Sequence, residues 1–285
     1  MRIEELPEFI SQIEDLPTLP GMYALFREKI YDPKTSANDI ARIISSDQAI
    51  ASKILRIANS AFYGFMRRID NIPHAIVIIG FNGIHHIVLN TAVLDMFKGN
   101  PQIPEFDMAK IWEHSLATAT ISKIIARRIG YGTGEEMFTA GLLHDIGKVI
   151  IYKYLPNEFK KIIRVVKEKN ILIKEAETQV LGVDHTQFGS ALLKQWNFPE
   201  SLILTTTYHH EPVLAQDKRK AANIVHLADI ICRSLEIGSG GDDKIPRLHQ
   251  GVWENLGLDI KTVAQIVDEV DTELNDSSVF NEFLK

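Results

Sequence analysis

Apolar residues recur along most of the chain at three- and four-residue spacing, and two-residue alternation is scarce. The segment LPTLPGMYALFREKIYD sets Pro17 and Pro20 ahead of a stripe at Met22, Leu25, Phe26 and Ile30. Ser36 and Asp39 have the spacing of a helix start, and Ile40, Ile43, Ile44, Ile50, Ile54 and Ile57 follow. NSAFYGF breaks that helix at Gly64, and IPHAIVIIGFNGIHHIVLNTAVLDMF predicts two short helices joined at GFNG. Asp107 caps a long helix with Ile111, Trp112, Ser115, Ala119, Ser122 and Ile125 on one face, closed by Gly130 and Gly132. GLLHDIGKVIIY, residues 141–152, predicts a single buried helix ending before Pro156. Further helices are expected at about 157–169, 174–181, 186–196, 200–209 and 218–236, with two more at the C-terminal end. GSGGDDKIP, residues 238–246, reads as a mobile loop. The expected fold is all-α, with an N-terminal helical lobe over 1–104 and a second lobe over 105–285.

Composition narrows the classes of function. The 285 residues carry 31 basic and 37 acidic side chains, a net charge of -6, which argues against general nucleic-acid binding. TSANDIARIISSD is spaced like a helix-turn-helix but lacks a basic recognition helix. Cys232 is the sole cysteine, so no internal disulfide forms, which suits a reducing compartment. The opening MRIEELPEFISQIEDLP is acidic and amphipathic, unlike a signal peptide, and no uninterrupted apolar run reads as a membrane span. The expectation is a cytoplasmic protein with no membrane and no nucleic-acid partner.

The chemistry concentrates in GLLHDIGKVIIY, where His144 and Asp145 sit among apolar neighbours. Burying an imidazole and a carboxylate costs several kcal/mol unless each is satisfied. His114 lies on the inward face of the long helix, and Asp229 stands in the apolar stretch NIVHLADIICRSL. His185 opens one helix, and His209–His210–Glu211 ends another. Inward His and Asp side chains from several helices are the material of a metal site. One ion would use His114, His144, Asp145 and Asp229. A second would share Asp145 and add His185 and His209, with His210 binding or steadying a ligand. The donor types suit one or two divalent ions: iron, manganese, zinc or nickel. Lys148, one turn after His144, either faces an anionic substrate or snorkels to solvent. Asp145 and Lys148 are thus the candidate catalytic pair, and His85–His86 is read as structural.

The order His114, His144–Asp145, Asp229 resembles the H…HD…D pattern of the HD superfamily of metal-dependent phosphohydrolases. Over about residues 14–232 the chain resembles a narrower branch, the HDOD (HD-related output domain) proteins of bacterial signalling. LPTLPGMYALF, ISSDQAIASKILRIANSAFYG, IDNIPHAIVIIGFNGIHHIVLNTAV and AGLLHDIGKVII carry that resemblance. It implies a helical lobe packed on an HD-like lobe, a regulatory role, a signalling-protein partner and a phosphorylated ligand. The alternative it implies is a working phosphohydrolase acting on a nucleotide or cyclic nucleotide. His185 and the HHE at 209–211 resemble the HD-GYP phosphodiesterases. No Gly-Tyr-Pro follows Glu211, however, and Lys110 stands where those enzymes place a carboxylate before His114, which argues against cyclic di-GMP hydrolysis.

Overall fold

The computed structural model describes residues 2–13, 16, 28–29, 32, 34–59, 68–96, 103, 106–132 and 134–275. The expected helix over the stripe from Met22 to Ile30 and the break at Gly64 lie outside them. Every regular element among the described residues is a helix. The chain folds as two compact units, one of residues 1–16 and 99–270, the other of 17–98 and 271–285.

Among the described residues, α2 (Ala37–Ser45), α3 (Gln48–Ala58) and α4 (Ile72–Met96) lie in the second unit. α2 begins as its spacing predicts: the Ser36 hydroxyl accepts the Asp39 N–H, and the Asp39 carboxylate accepts the Ser36 N–H. α3 ends at Asn59, whose side-chain amide donates to the Leu55 and Ile69 carbonyls and accepts the Ile69 N–H. α4 packs on both α2 and α3. By length and composition alone residues 72–91 are long and apolar enough to cross a membrane, at a mean hydropathy of 1.6, and half of that stretch is buried inside the protein. That corrects the reading that no apolar run is long enough. Gly80, at φ 81° and ψ 165°, breaks the helix into the two expected arms, a conformation open to glycine because it has no Cβ.

His86 on α4 carries a measurable consequence. Burial holds its imidazole down at about 4, against an ordinary 6.5. The unfolded chain therefore takes up the proton first as pH falls. Stability is complete above pH 6.5 and is lost between 6.5 and about 4, at a slope of at most about 1.4 kcal/mol per pH unit. In urea denaturation, His86→Leu is expected to lose less stability than wild type between pH 7 and pH 5.

The larger unit begins with α1 (Leu6–Ser11) and resumes with α5 (Met108–Arg128), which starts where the Asp107 carboxylate accepts the Ala109 N–H. Then come α6 (Glu135–Leu143), α7 (Ile146–Tyr154), α8 (Pro156–Lys169) and α9 (Ile173–Leu181). α10 (His185–Gln195), α11 (Glu200–Tyr208), α12 (Arg219–Ser234), α13 (Val252–Leu256) and α14 (Ile260–Asn275) follow. α5 packs on α6 and α12, and α10 packs on α7, α11 and α1. The core between them includes Ile111, Ile121, Phe138, Leu142, Ile150, Phe188 and Ile224, all fully buried.

Two expectations are corrected in this unit. GLLHDIGKVIIY is two helices, because α6 stops at Leu143 and α7 starts at Ile146. Side chains one residue apart on a continuous helix do not face each other. The break lets His144 and Asp145 turn to a common centre. GSGGDDKIP is also held by tertiary bonds. Asp242 pairs with buried Arg233 and accepts the Ile173 N–H at 2.8 Å, while Ser239 N–H donates to the Lys110 carbonyl at 2.9 Å.

Candidate metal centre

The centre is assembled from residues at the ends of helices. His144 follows the last residue of α6, and its Nδ1–H donates to the Gly141 carbonyl at 2.6 Å. His209 follows the last residue of α11 in the same way, with Nδ1–H donating to the Thr206 carbonyl at 2.8 Å. Helix C-termini leave their last carbonyls unpaired, so an imidazole there finds a ready acceptor three residues back. His185 is the first residue of α10, where Asp184 and Gln187 form a reciprocal capping box. Its Nδ1–H donates to Glu177 Oε2 at 2.6 Å, and the same oxygen accepts its backbone N–H at 2.9 Å. His114 projects from α5 and Asp229 from α12, both buried.

These groups leave their Nε2 atoms facing one carboxylate. Asp145 Oδ2 lies 3.2 Å from His144 Nε2 and 3.6 Å from His114 Nε2. Its Oδ1 lies 3.2 Å from His185 Nε2 and 3.8 Å from His209 Nε2. His210 joins at the edge, with Nε2 at 3.1 Å from His185 Nε2. The donor atoms form two sets, each within 4.8 Å: His114, His144 and Asp145, then Asp145, His185, His209 and His210. Asp145 belongs to both. Asp229 stands outside both sets, though its Oδ1 lies 3.2 Å from His114 Nε2.

Electrostatics leave most of these groups in the form that binds a cation. Burial drives the pKa of His114, His209 and His210 down, so they are neutral at neutral pH. Burial also acts on His144, but the Asp145 carboxylate outweighs it and the net shift is upward. Against the same penalty, His144 and Lys148 hold Asp145 well below the carboxylate range, and the His114 ring beside it does so for Asp229. The Nε2 atoms of His114, His144 and His209, with Asp145 Oδ1 and both Asp229 oxygens, are buried and have no hydrogen-bond partner. Unsatisfied buried polar atoms are costly, and several converging in one place fit a cation they would surround.

Lys148 is buried, so the solvent-facing alternative does not hold. Its ammonium donates to Asp145 Oδ2 and, at 2.8 Å, to the Gly240 carbonyl. The loop at 238–246 thereby reaches the centre, and Asp242 anchors it. Asp242→Ala leaves the Arg233 guanidinium buried without its carboxylate, so a loss of about 3–5 kcal/mol is expected in urea denaturation. A cavity of about 510 Å³ opens beside the centre, lined by His210, Lys174, Glu211, His226, Arg247 and His249 among others.

Glu177, Cys232 and Gly240 escape a reading by motif. Glu177 alone left a trace: with Ile173, Ala176 and Leu181 it falls on the buried face of α9 at helical spacing.

Known proteins place this architecture. The family model of the HDOD domain matches residues 16–212. An HDOD domain protein from Geobacter sulfurreducens, of unknown function, has a crystal structure 28% identical with a TM-score of 0.83, covering 100% of this chain and 99% of that one. A candidate phosphohydrolase from Shewanella amazonensis SB2B shares the fold at 22% identity and a TM-score of 0.74, over 99% and 97% of the two chains. An uncharacterized protein of Treponema pallidum (strain Nichols) is 26% identical over 239 residues, 83% of this chain. The chain spans about half the length of that relative, 46%. With the match over 16–212 and the same helical architecture throughout, this chain belongs to the HDOD family.

Proposed function

We propose that this chain is a signal-transduction module whose larger unit holds one or two divalent ions and, through them, a phosphorylated ligand, while engaging a signalling-protein partner. The observation that carries the reading is the set of converging, buried and unsatisfied donor atoms around Asp145. His114, His144 and Asp145 would hold one ion, with Asp229 Oδ1 3.2 Å from the same His114 Nε2. Asp145, His185, His209 and His210 would hold the other. Iron, manganese, zinc and nickel all suit imidazole and carboxylate donors. Ions so held offer positive charge to a phosphoryl group and lower the pKa of water. Lys148 neutralises Asp145 and places an ammonium against the same centre.

A second reading, phosphoester hydrolysis, is favoured by the 510 Å³ cavity. That volume falls in the range of about 300–1,000 Å³ typical of small-molecule sites. Its lining brings Lys174, Arg247 and His249 to the side of His210, where an anion would be held. Calorimetric titration of inorganic phosphate into manganese- or zinc-loaded protein tests the first reading. Binding that needs the metal and disappears in Asp145→Ala supports it, and binding indifferent to metal overturns it. Turnover of bis(p-nitrophenyl) phosphate by the loaded protein separates the catalyst from the regulatory module.

A further inference from the structure

Three of the inward-facing imidazoles are braced from behind by oxygen: His144 by Gly141, His209 by Thr206 and His185 by Glu177. His114 is braced by sulfur. Its Nδ1 lies 3.3 Å from Cys232 Sγ on α12, and both side chains are buried. A thiol is a weak donor and a weak acceptor, so the direction of this bond needs an argument. The thiol hydrogen has carbonyl acceptors of its own, Ile237 O at 3.4 Å and His114 O at 3.7 Å. A sulfur lone pair is then left for Nδ1, and with Nε2 given to a cation the ring nitrogen is the donor.

From this we infer that Cys232 is the positioning residue of His114: it accepts from Nδ1–H when Nε2 takes a cation, fixes the plane of the ring and aims Nε2 at the Asp145 side of the centre. The role rests on the metal-binding reading above and adds a residue to it. Cys232 is not itself a ligand, because its sulfur meets the outward edge of the ring while Nε2 faces the carboxylates. Partners behind a metal-binding histidine fix its tautomer and orientation, and their loss costs about 10–100-fold in metal affinity. One chain thus uses three chemistries behind its histidines: backbone carbonyl, carboxylate and thiol.

Two variants of similar size separate hydrogen bonding from packing. Cys232→Ser keeps a group that accepts from Nδ1, and Cys232→Val fills the space without one. In the full chain labelled with 15N-histidine and loaded with zinc, wild type and Cys232→Ser are expected to show the His114 Nδ1–H protected from solvent exchange by its hydrogen bond. Cys232→Val is expected to lose that protection and to bind zinc about 10–100-fold more weakly, with serine near wild type. Cys232→Ala gives the same comparison where valine overfills the site. Wild-type ring signals and zinc affinity in the valine and alanine variants overturn the inference, as does a serine variant as impaired as valine. Absence of zinc binding by wild type would instead sink the metal reading, and the role of Cys232 with it; zinc binding by wild type with no weakening in valine or alanine overturns the role alone.

Discussion

Asp145→Ala is expected to abolish binding of both ions and to leave a folded but weaker protein. Asp145 is the one residue common to both donor sets, so no half of the centre survives its loss. The variant also strands Lys148, whose ammonium is buried and keeps only the Gly240 carbonyl as a partner. Removing one member of a buried ion pair costs about 3–5 kcal/mol, because the other charge stays buried and uncompensated. Against a total stability of about 5–15 kcal/mol the chain still folds. Adding Lys148→Met should restore most of the lost stability in urea denaturation without restoring metal. A double variant as unstable as Asp145→Ala would show that the Lys148 charge is not the source of the loss.

Gly147→Ala should be the most damaging single methyl in the larger unit. A Cβ on Gly147 would lie 1.9 Å from the His185 carbonyl oxygen, 2.7 Å from its carbon and 2.8 Å from the Gly189 nitrogen. All three are backbone atoms, so no rotamer change relieves the clash and α7 must part from α10. Overpacking of this kind costs about 1–3 kcal/mol, and a contact with rigid backbone belongs at the upper end. Function should suffer in a particular way. α7 follows directly on Asp145 and α10 begins at His185, so separating the helices stretches the 3.2 Å contact between these residues. Affinity should fall most for the ion held by Asp145, His185, His209 and His210, and less for the one at His114 and His144. Equal weakening of both would mean that α7 carries Asp145 away from every histidine at once.

Much of this fold was legible because amphipathic helices announce themselves. The capping pairs at Ser36–Asp39 and at Asp107 lie where the pattern puts them, and Gly80 makes the expected joint between two helical arms. The candidate histidines were visible as polar residues on apolar faces, which is why His114, His144, His185 and His209 stood out together. The failures are tertiary in origin. Nothing local in GLLHDIGKVIIY marks the step between Leu143 and Ile146; what His144 and Asp145 meet there, His114, His209 and His185, comes from other helices. GSGGDDKIP has the composition of a flexible segment, and only the arrival of Arg233 and the Ile173 N–H at Asp242 ties it down. Glu177 and Cys232 act by standing behind a histidine, a relation that exists only once the helices are packed.

The central claim is that the buried donors around Asp145 hold divalent ions. Equilibrium dialysis of metal-free wild-type protein and Asp145→Ala against zinc and manganese, with bound metal counted by mass spectrometry, tests it most directly. The prediction is one or two ions per wild-type chain and none in Asp145→Ala. Wild-type protein that takes up neither metal, or a variant that takes up as much as wild type, would contradict it.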